Sequence, residues 1–195
     1  MSVTLAPFQW SRAVSAVEKV AERRDRTARI LEAAGIPYAV CGGNAIQAWV
    51  TRVDESALRF TRDVDIVLRR EDLPKAVEAL EAEGFRFRHA GGIDMFLDGP
   101  DTTARDAVHV LIANETVKAD DPAAVPDPSQ FVEADGFRAL DLEPLVRMKL
   151  VAWRRKDQTH LDDLITLGLV DDTWPARFSG ELRDRLQFLL DTPDG

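Results

Sequence analysis

The sequence contains little cysteine and no long hydrophobic run, and each absence excludes a class of protein. Cys41 is the one cysteine among 195 residues, so no disulfide can form within the chain and a reducing compartment is expected. No stretch approaches the roughly 18 uninterrupted apolar residues that a membrane helix needs. The N-terminal residues MSVTLAPFQW lack the basic and apolar segments of a secretory signal. These absences predict a cytoplasmic protein that does not enter a membrane.

Basic residues are also fewer than acidic residues. The chain contains 25 basic and 34 acidic residues, for a net charge of -9. Proteins that coat nucleic acid neutralise its phosphates with a basic surface, so the charge argues against that class. A small nucleotide, or a nucleic-acid end held at one local basic spot, stays compatible with it. The segment from Leu145 to Lys156 offers such a spot, because it contains basic residues and no acid.

The hydrophobic pattern predicts an α+β fold with a mixed sheet and a helical C-terminal region. Apolar residues spaced by three and four predict helices at residues 10–34, 44–50, 71–83, 142–156, 160–167 and 180–190. Short apolar runs bounded by Gly or Pro predict strands at residues 38–41, 61–69, 85–89, 93–97, 107–113 and 137–140. We predict a core at residues 1–118, a proline-rich linker at 119–136, and a helical region at 137–195 that packs on the core.

Two motifs between Val40 and Leu68 suggest a site. Gly42-Gly43 follows an apolar run and opens a predicted helix, and the free backbone N–H groups at a helix start favour phosphate. Further on, Asp63 and Asp65 begin a predicted strand, where residues i and i+2 project from the same face. Such a pair can hold a hard divalent cation through oxygen ligands.

Two other interpretations of the aspartates are open at this point. Asp63 and Asp65 can be solvated at an exposed strand start, or paired with Arg59 or Arg62, since a buried carboxylate needs a partner. Cys41, inside the apolar run beside the glycines, is expected to be a packed thiol rather than a nucleophile.

The two motifs together resemble the signature of the DNA polymerase beta-like nucleotidyltransferase superfamily. The residues concerned are Gly42-Gly43-Asn44-Ala45 and then Thr61-Arg62-Asp63-Val64-Asp65-Ile66. The C-terminal run Leu145-Val-Arg-Met-Lys149-Leu, with Arg155-Lys156-Asp157 and His160-Leu-Asp-Asp163-Leu, is similar to the helix pair of AbiEii-type nucleotidyltransferase toxins in the minimal prokaryotic branch. The resemblance covers residues 38–167.

This resemblance implies a nucleotidyltransferase-like fold and a metal-dependent reaction. Two Mg²⁺ ions straddle the α-phosphate of a bound NTP while an acceptor hydroxyl attacks in line. It implies metal ligands at Asp63 and Asp65, and nucleotide binding at three consecutive residues, Gly42, Gly43 and Asn44, and at Thr61. The acceptor can be tRNA, a protein or a small molecule, and a toxin would have an antitoxin partner.

One departure from the family pattern concerns the third acid, which the family takes from a neighbouring strand. The matching position here is His109, on a face with Leu111 and Ala113, while Asp106 is out of phase with it. Imidazole is a poor ligand for Mg²⁺ but suits Mn²⁺ or Zn²⁺. His109 can also be a general base or a core histidine. An imidazole within about 5 Å of both aspartates would support an active site.

Lys149 lies in the apolar stripe of a predicted helix, four residues from Leu145 and from Trp153. It is either a lysine whose stem packs while its ammonium reaches water or a lysine directed at phosphate. Asp157, with the pair Asp162-Asp163, is expected to partner or cap these helices rather than bind metal.

The sequence therefore leaves three functions open. The first is a nucleotidyltransferase dependent on Mg²⁺ or Mn²⁺. The second is a catalytically silent member of the same fold that binds a nucleotide or a partner, which the histidine in place of the third acid motivates. The third is the toxin of a toxin–antitoxin pair.

Overall fold

The computed structural model describes residues 10–57, 59–99 and 102–192, which form six α-helices and a seven-stranded sheet. The helices are α1 Trp10–Ala33, α2 Gly42–Val50, α3 Leu73–Ala82, α4 Leu142–Ala152, α5 Arg155–Thr166 and α6 Gly180–Asp191. The strands are β1 Ala39–Cys41, β2 Val64–Leu68, β3 Phe85–Ala90, β4 Ile93–Asp98, β5 Val108–Ile112, β6 Phe131–Ala134 and β7 Phe137–Leu140. Across the described ranges, none of these helices has the length and apolar character needed to cross a membrane.

The predicted mixed sheet is confirmed. The strand order is β3-β4-β5-β2-β1-β7-β6, with β2 parallel to β5, β1 parallel to β7, and the other neighbours antiparallel. The sequence pattern did not predict β6, which lies within the segment 119–136 interpreted as a linker and pairs with β7 at the sheet edge. The division into core, linker and helical region stays a prediction, and β7 of the third part pairs directly with β1 of the first.

Helices cover both faces of the sheet. Arg23 and Arg26 of α1 reach Asp98 at 3.6 and 2.8 Å, and α3 packs against α1 and β3. Val64, Ile66 and Leu68 are fully buried, as the predicted alternation requires. On the opposite face α2 packs on β1, β2 and β7 and contacts α4 and α5. The carboxylate of Asp65 lies on this second face.

The joint between α4 and α5 differs from the prediction. One helix was predicted through Lys156 and the next from His160, but α4 ends at Ala152 and α5 begins at Arg155. Trp153 adopts a left-handed conformation with φ 48°, and its N–H donates to the carbonyl of Lys149 at 3.0 Å, which ends the helix. The apolar spacing that suggested a continuous helix carries no signal for this break.

A buried ion pair holds the joint together. Lys149 is only 5% exposed and Asp157 is fully buried, with 3.1 Å between Nζ and Oδ1. Arg154 donates to the same carboxylate from Nε at 2.7 Å and from its backbone N–H at 3.3 Å. Burial raises the pKa of Asp157, but Arg154 and Lys149 outweigh it and hold that pKa below its usual value. The expected role of Asp157 as partner and cap is confirmed.

Replacing Asp157 by asparagine should destabilise the fold in a pH-dependent way. The variant leaves the Lys149 ammonium buried without a counter-charge, so we expect a loss of about 3 kcal/mol in the free energy of unfolding near pH 7. Since the folded-state pKa of Asp157 is lowered, its contribution is present above the unfolded pKa of about 3.9 and is lost as pH falls through the folded value. Urea unfolding from about pH 7 to pH 3 should show the two proteins converging below about pH 4.

Glu143→Gln is the matched control for this measurement. Glu143 pairs with Arg147 on the surface of α4 at 2.9 Å, and such exposed pairs contribute under about 1 kcal/mol. Equal losses for Glu143→Gln and Asp157→Asn, or a pH-independent loss for Asp157→Asn, would contradict the assigned role.

Candidate metal and nucleotide site

The three residues predicted for the catalytic cluster come together on one face of the sheet. The parallel pairing of β2 with β5 sets Asp65 opposite His109, and Asp63 lies just before β2. His109 Nδ1 lies 3.5 Å from Asp65 Oδ1 and 4.0 Å from Asp63 Oδ2. The imidazole is therefore within the expected 5 Å of both carboxylates.

A backbone carbonyl fixes the orientation of His109. Its Nε2 lies 2.8 Å from the carbonyl oxygen of Ala104, so Nε2 carries the donated hydrogen in the neutral ring and the Nδ1 lone pair faces the acids. The carboxylate of Asp65 raises the pKa of His109 above its ordinary value, because the protonated ring can donate from Nδ1 to this carboxylate. The side chain is 20% exposed, so it is not a core histidine. Asp106 lies outside the cluster and accepts from Thr103 at 2.7 Å.

These three side chains can hold a metal ion. One atom from each of Asp63, Asp65 and His109 lies within 4.8 Å of the others, and all three are half-buried at the sheet surface. Among the described ranges, this is the one group of three or more potential ligands with such spacing. Two carboxylates with one imidazole suit Mn²⁺ or Zn²⁺ better than Mg²⁺, which prefers oxygen alone.

The two glycines let α2 begin against the acidic strand. Gly42 has φ +63°, and a Cβ there would lie 2.8 Å from Asp65 Cγ and nearer still to its carboxylate oxygen. A Cβ on Gly43 would lie 2.9 Å from Thr61 Oγ1. Any side chain at Gly42 would thus require both a strained backbone and displacement of a candidate metal ligand.

Asn44 and Thr61 both contact Asp63. The Asn44 side-chain amide donates to the Asp63 carbonyl at 2.9 Å, and the Thr61 hydroxyl donates to the Asp63 carboxylate at 2.8 Å. In the structure these two residues hold Asp63 in place, while nucleotide binding by them stays a prediction.

The first turn of α2 lies beside the carboxylates. Cys41 is its N-cap and provides no side-chain hydrogen bond, so the first backbone N–H groups of the helix are available to a ligand. Cys41 itself is buried, and burial together with the nearby Asp65 raises the pKa of its thiol. The predicted packed, unreactive thiol agrees with this environment.

Basic side chains at the joint between α4 and α5 act on the acids through their charge. Burial raises the pKa of Asp63, but the Thr61 hydroxyl and the charge of Lys156 outweigh it and lower that pKa. The ion pair with Asp157 raises the pKa of Arg154, and the fields of the two candidate metal ligands add to this. Sequence reasoning singled out Lys149, but Arg154 and Lys156 are the exposed cations here. The excess of basic residues from Leu145 to Lys156 was the signal for them.

A loop closes the other side of the site. Arg59 Nη2 pairs with Asp163 Oδ1 of α5 at 2.8 Å, which fastens the segment before β2 to the C-terminal helices. Asp163 was predicted to partner or cap the helix pair of α4 and α5, but its partner Arg59 belongs to the loop before β2. Phe60 and His160 line the cleft that results. No local sequence signal marked Phe60, whereas His160 belongs to the C-terminal run that carries the resemblance, where it was given no role.

The fold and the acidic cluster define a protein of the nucleotidyltransferase class. Residues 9–142 match the model of a family described as uncharacterised nucleotidyltransferases, and the chain belongs to this family. No curated protein matches the chain significantly. The narrower likeness to AbiEii-type toxins stays a prediction.

Solved structures support the fold assignment. An antigenic nucleotidyltransferase-like protein from Paracoccidioides brasiliensis aligns over 92% of this chain and 91% of its own, with TM-score 0.60 and 18% identity. JHP933 from Helicobacter pylori aligns over 96% and 78%, with TM-score 0.52 and 14% identity. ANT(2")-Ia in complex with adenylyl-2"-tobramycin aligns over 91% and 98%, with TM-score 0.50 and 15% identity. At these identities the likeness establishes the fold.

Comparing Gly42→Ala with Gly35→Ala should isolate the contact between α2 and β2. Both glycines have φ +63°, but a Cβ on Gly35 meets nothing within 4 Å. Gly35→Ala should therefore lower the free energy of unfolding by only about 1–2 kcal/mol, the cost of a left-handed backbone at a residue with a Cβ. Gly42→Ala should lower the free energy of unfolding by about 1–3 kcal/mol more, because its Cβ crowds Asp65. It should also bind Mn²⁺ more weakly, since Asp65 must move. Chemical unfolding and Mn²⁺ titration check this, and equal behaviour of the two variants would contradict it.

Proposed function

We propose that this protein binds a nucleoside triphosphate together with a divalent metal ion and transfers the nucleotidyl group to an acceptor hydroxyl. In this reaction the acceptor oxygen forms a bond to the α-phosphorus, the bond to pyrophosphate breaks, and the hydroxyl proton is released. The observation that carries the proposal is the position of His109 Nδ1, 3.5 and 4.0 Å from the two carboxylates, beside the open first turn of α2.

We assign Asp63, Asp65 and His109 as the metal ligands. A divalent ion bound by them would neutralise phosphate charge and orient the phosphates for displacement. With Nε2 donating to Ala104, Nδ1 offers one lone pair, so ligation and general-base catalysis compete for the same atom. Because Nδ1 points into the cluster of carboxylate oxygens, we favour ligation, with Mn²⁺ preferred over Mg²⁺.

We assign the triphosphate to the first turn of α2. The backbone N–H groups at Gly43 and Asn44 and the positive end of the helix dipole would hold phosphate oxygens. Arg154 and Lys156 would neutralise the outer phosphates, since their charges already act on the acid cluster. Lys149 serves this arrangement indirectly, because its ion pair with Asp157 holds the joint that carries both cations.

A silent member of the fold is less well supported than an active one. It was motivated by histidine in place of the third acid, but that histidine lies within ligand distance of both aspartates. The acceptor can be tRNA, a protein or a small molecule. ANT(2")-Ia, solved with adenylyl-2"-tobramycin, favours a small hydroxyl compound over an antitoxin-regulated tRNA site. A cytoplasmic location remains expected.

Calorimetric titration tests nucleotide and metal binding together. Each NTP with Mn²⁺ or Mg²⁺ is titrated into the wild type, into the double variant Asp63→Asn/Asp65→Asn, and into Asp184→Asn. Asp184 is an exposed acid on α6 and serves as the control. We expect binding heats for the wild type and the control, and affinity at least about tenfold weaker for the double variant, because it removes both charged ligands. Equal heats for all three proteins, or none, would refute the proposal.

Replacing His109 by aspartate should change the metal preference. The variant offers three carboxylates, an oxygen-only set that suits Mg²⁺. We expect the ratio of Mn²⁺ to Mg²⁺ affinity in the presence of NTP to fall several-fold. His89→Asp introduces the same substitution on β3, two strands from β5 in the sheet and outside the cluster, and should leave the ratio unchanged. A ratio unaffected by His109→Asp would exclude His109 as a ligand.

A further inference from the structure

The cleft beside the assigned triphosphate position is lined by residues other than the proposed metal ligands. An inner pocket is lined by Gly43, Gln47 and Thr61. It shares Arg59, Phe60 and His160 with an outer cleft of ≈ 500 Å³. This volume lies within the range typical of small-ligand sites. The outer cleft is therefore large enough for the remainder of a nucleotide, and it borders the small inner pocket of ≈ 10 Å³ beside the first turn of α2.

Phe60 is exposed at this cleft without a structural reason. Its side chain is 76% exposed, and within the described residues no aromatic or cationic partner stacks on it. Exposure alone does not indicate a ligand, but here the ring presents a free aromatic face at a cleft. An aromatic face next to a phosphate site is suited to stack a nucleobase.

His160 also lines this cleft, and its ring contains a polar atom left unpaired within the described ranges. Its Nδ1 is buried and has no hydrogen-bond partner among the described residues, an arrangement that costs stability unless something pairs with it. Burial lowers the pKa of His160 to about 4, so the ring is neutral and can both donate and accept hydrogen bonds. It is suited to the edge of an uncharged heterocycle.

The position of Phe60 is set by its neighbour. Arg59 is fastened to Asp163 of α5, and Gln47 of α2 donates to the Arg59 carbonyl. The segment is therefore tied to the two helices that border the cleft. A base stacked on Phe60 would find the backbone that carries the ring already held in place, which reduces the entropy lost on binding.

We propose that Phe60 and His160 form the nucleobase site of this protein, with Phe60 stacking on the base and His160 hydrogen-bonding its edge. This inference rests on the proposed function, because the base enters the cleft only when its triphosphate lies at α2. The acidic cluster and the helix start would bind metal and phosphate, which are common to all NTPs. Phe60 and His160 would add selection among the bases.

The test compares ligands with and without a base. Inorganic tripolyphosphate and each of the four NTPs, all with Mn²⁺, are titrated into the wild type, Phe60→Ala and Phe188→Ala. Phe188 is a 55% exposed phenylalanine on α6 and is the matched control. Loss of a stacking partner should weaken NTP binding roughly fivefold or more, whereas tripolyphosphate affinity should be unchanged. Phe188→Ala should change neither, and Phe60→Trp should preserve NTP binding.

His160→Ala supplies an independent measurement. It should alter the relative affinities of the four NTPs and leave tripolyphosphate binding unchanged, because only the base contacts the ring. Unfolding curves recorded on the same samples show whether each variant is folded.

The outcomes separate this inference from the proposed function. Absence of binding by both tripolyphosphate and NTPs in the wild type refutes the proposed function, and the base site with it. Three results overturn the base site alone: tripolyphosphate binding as tightly as every NTP, equal NTP affinity in Phe60→Ala and the wild type, or parallel loss of both ligand types in Phe60→Ala.

Discussion

The close approach of the start of α2 to the carboxylate of Asp65 is the constraint on which the site depends. The antiparallel pairing of β1 with β2 sets Cys41 opposite Asp65, so the chain must turn into α2 directly beside an acid. Gly42 permits this turn because it has a positive φ and no Cβ to displace the carboxylate. The raised pKa of the buried Cys41 thiol keeps it neutral, so it adds no negative charge. A place for phosphate and a place for metal are thereby adjacent.

Much of this arrangement is encoded locally and could be predicted. Strand alternation predicted that Asp63 and Asp65 share one face, and the family resemblance identified His109 as the matching position on a neighbouring strand. The parallel register of β2 and β5 then brought Asp65 and His109 together. Asn44 and Thr61 were expected near the nucleotide, but their contacts with Asp63 depend on side-chain geometry that spacing does not reveal.

Other parts depend on contacts that are distant in sequence. Phe60 belongs to a loop whose position depends on the pair of Arg59 with Asp163, which are 104 residues apart. Lys149 was ambiguous because its buried partner, Asp157, lies beyond a helix break that apolar spacing does not encode. In such cases the sequence shows which residues need partners, whereas only the fold shows which partners they have.

Histidine at position 109, in place of a third acid, changes the net charge of the site as well as its preference among metal ions. A third carboxylate would give the cluster three negative charges next to an anionic triphosphate, whereas a neutral imidazole leaves two. Two carboxylates are balanced by one divalent ion, so fewer cations are needed to admit the nucleotide. Arg154 and Lys156 supply fixed positive charge near the same acids. The resemblance implies two metal ions, and the described residues offer one group of three side chains, Asp63, Asp65 and His109, that could hold the first of them under the proposed function.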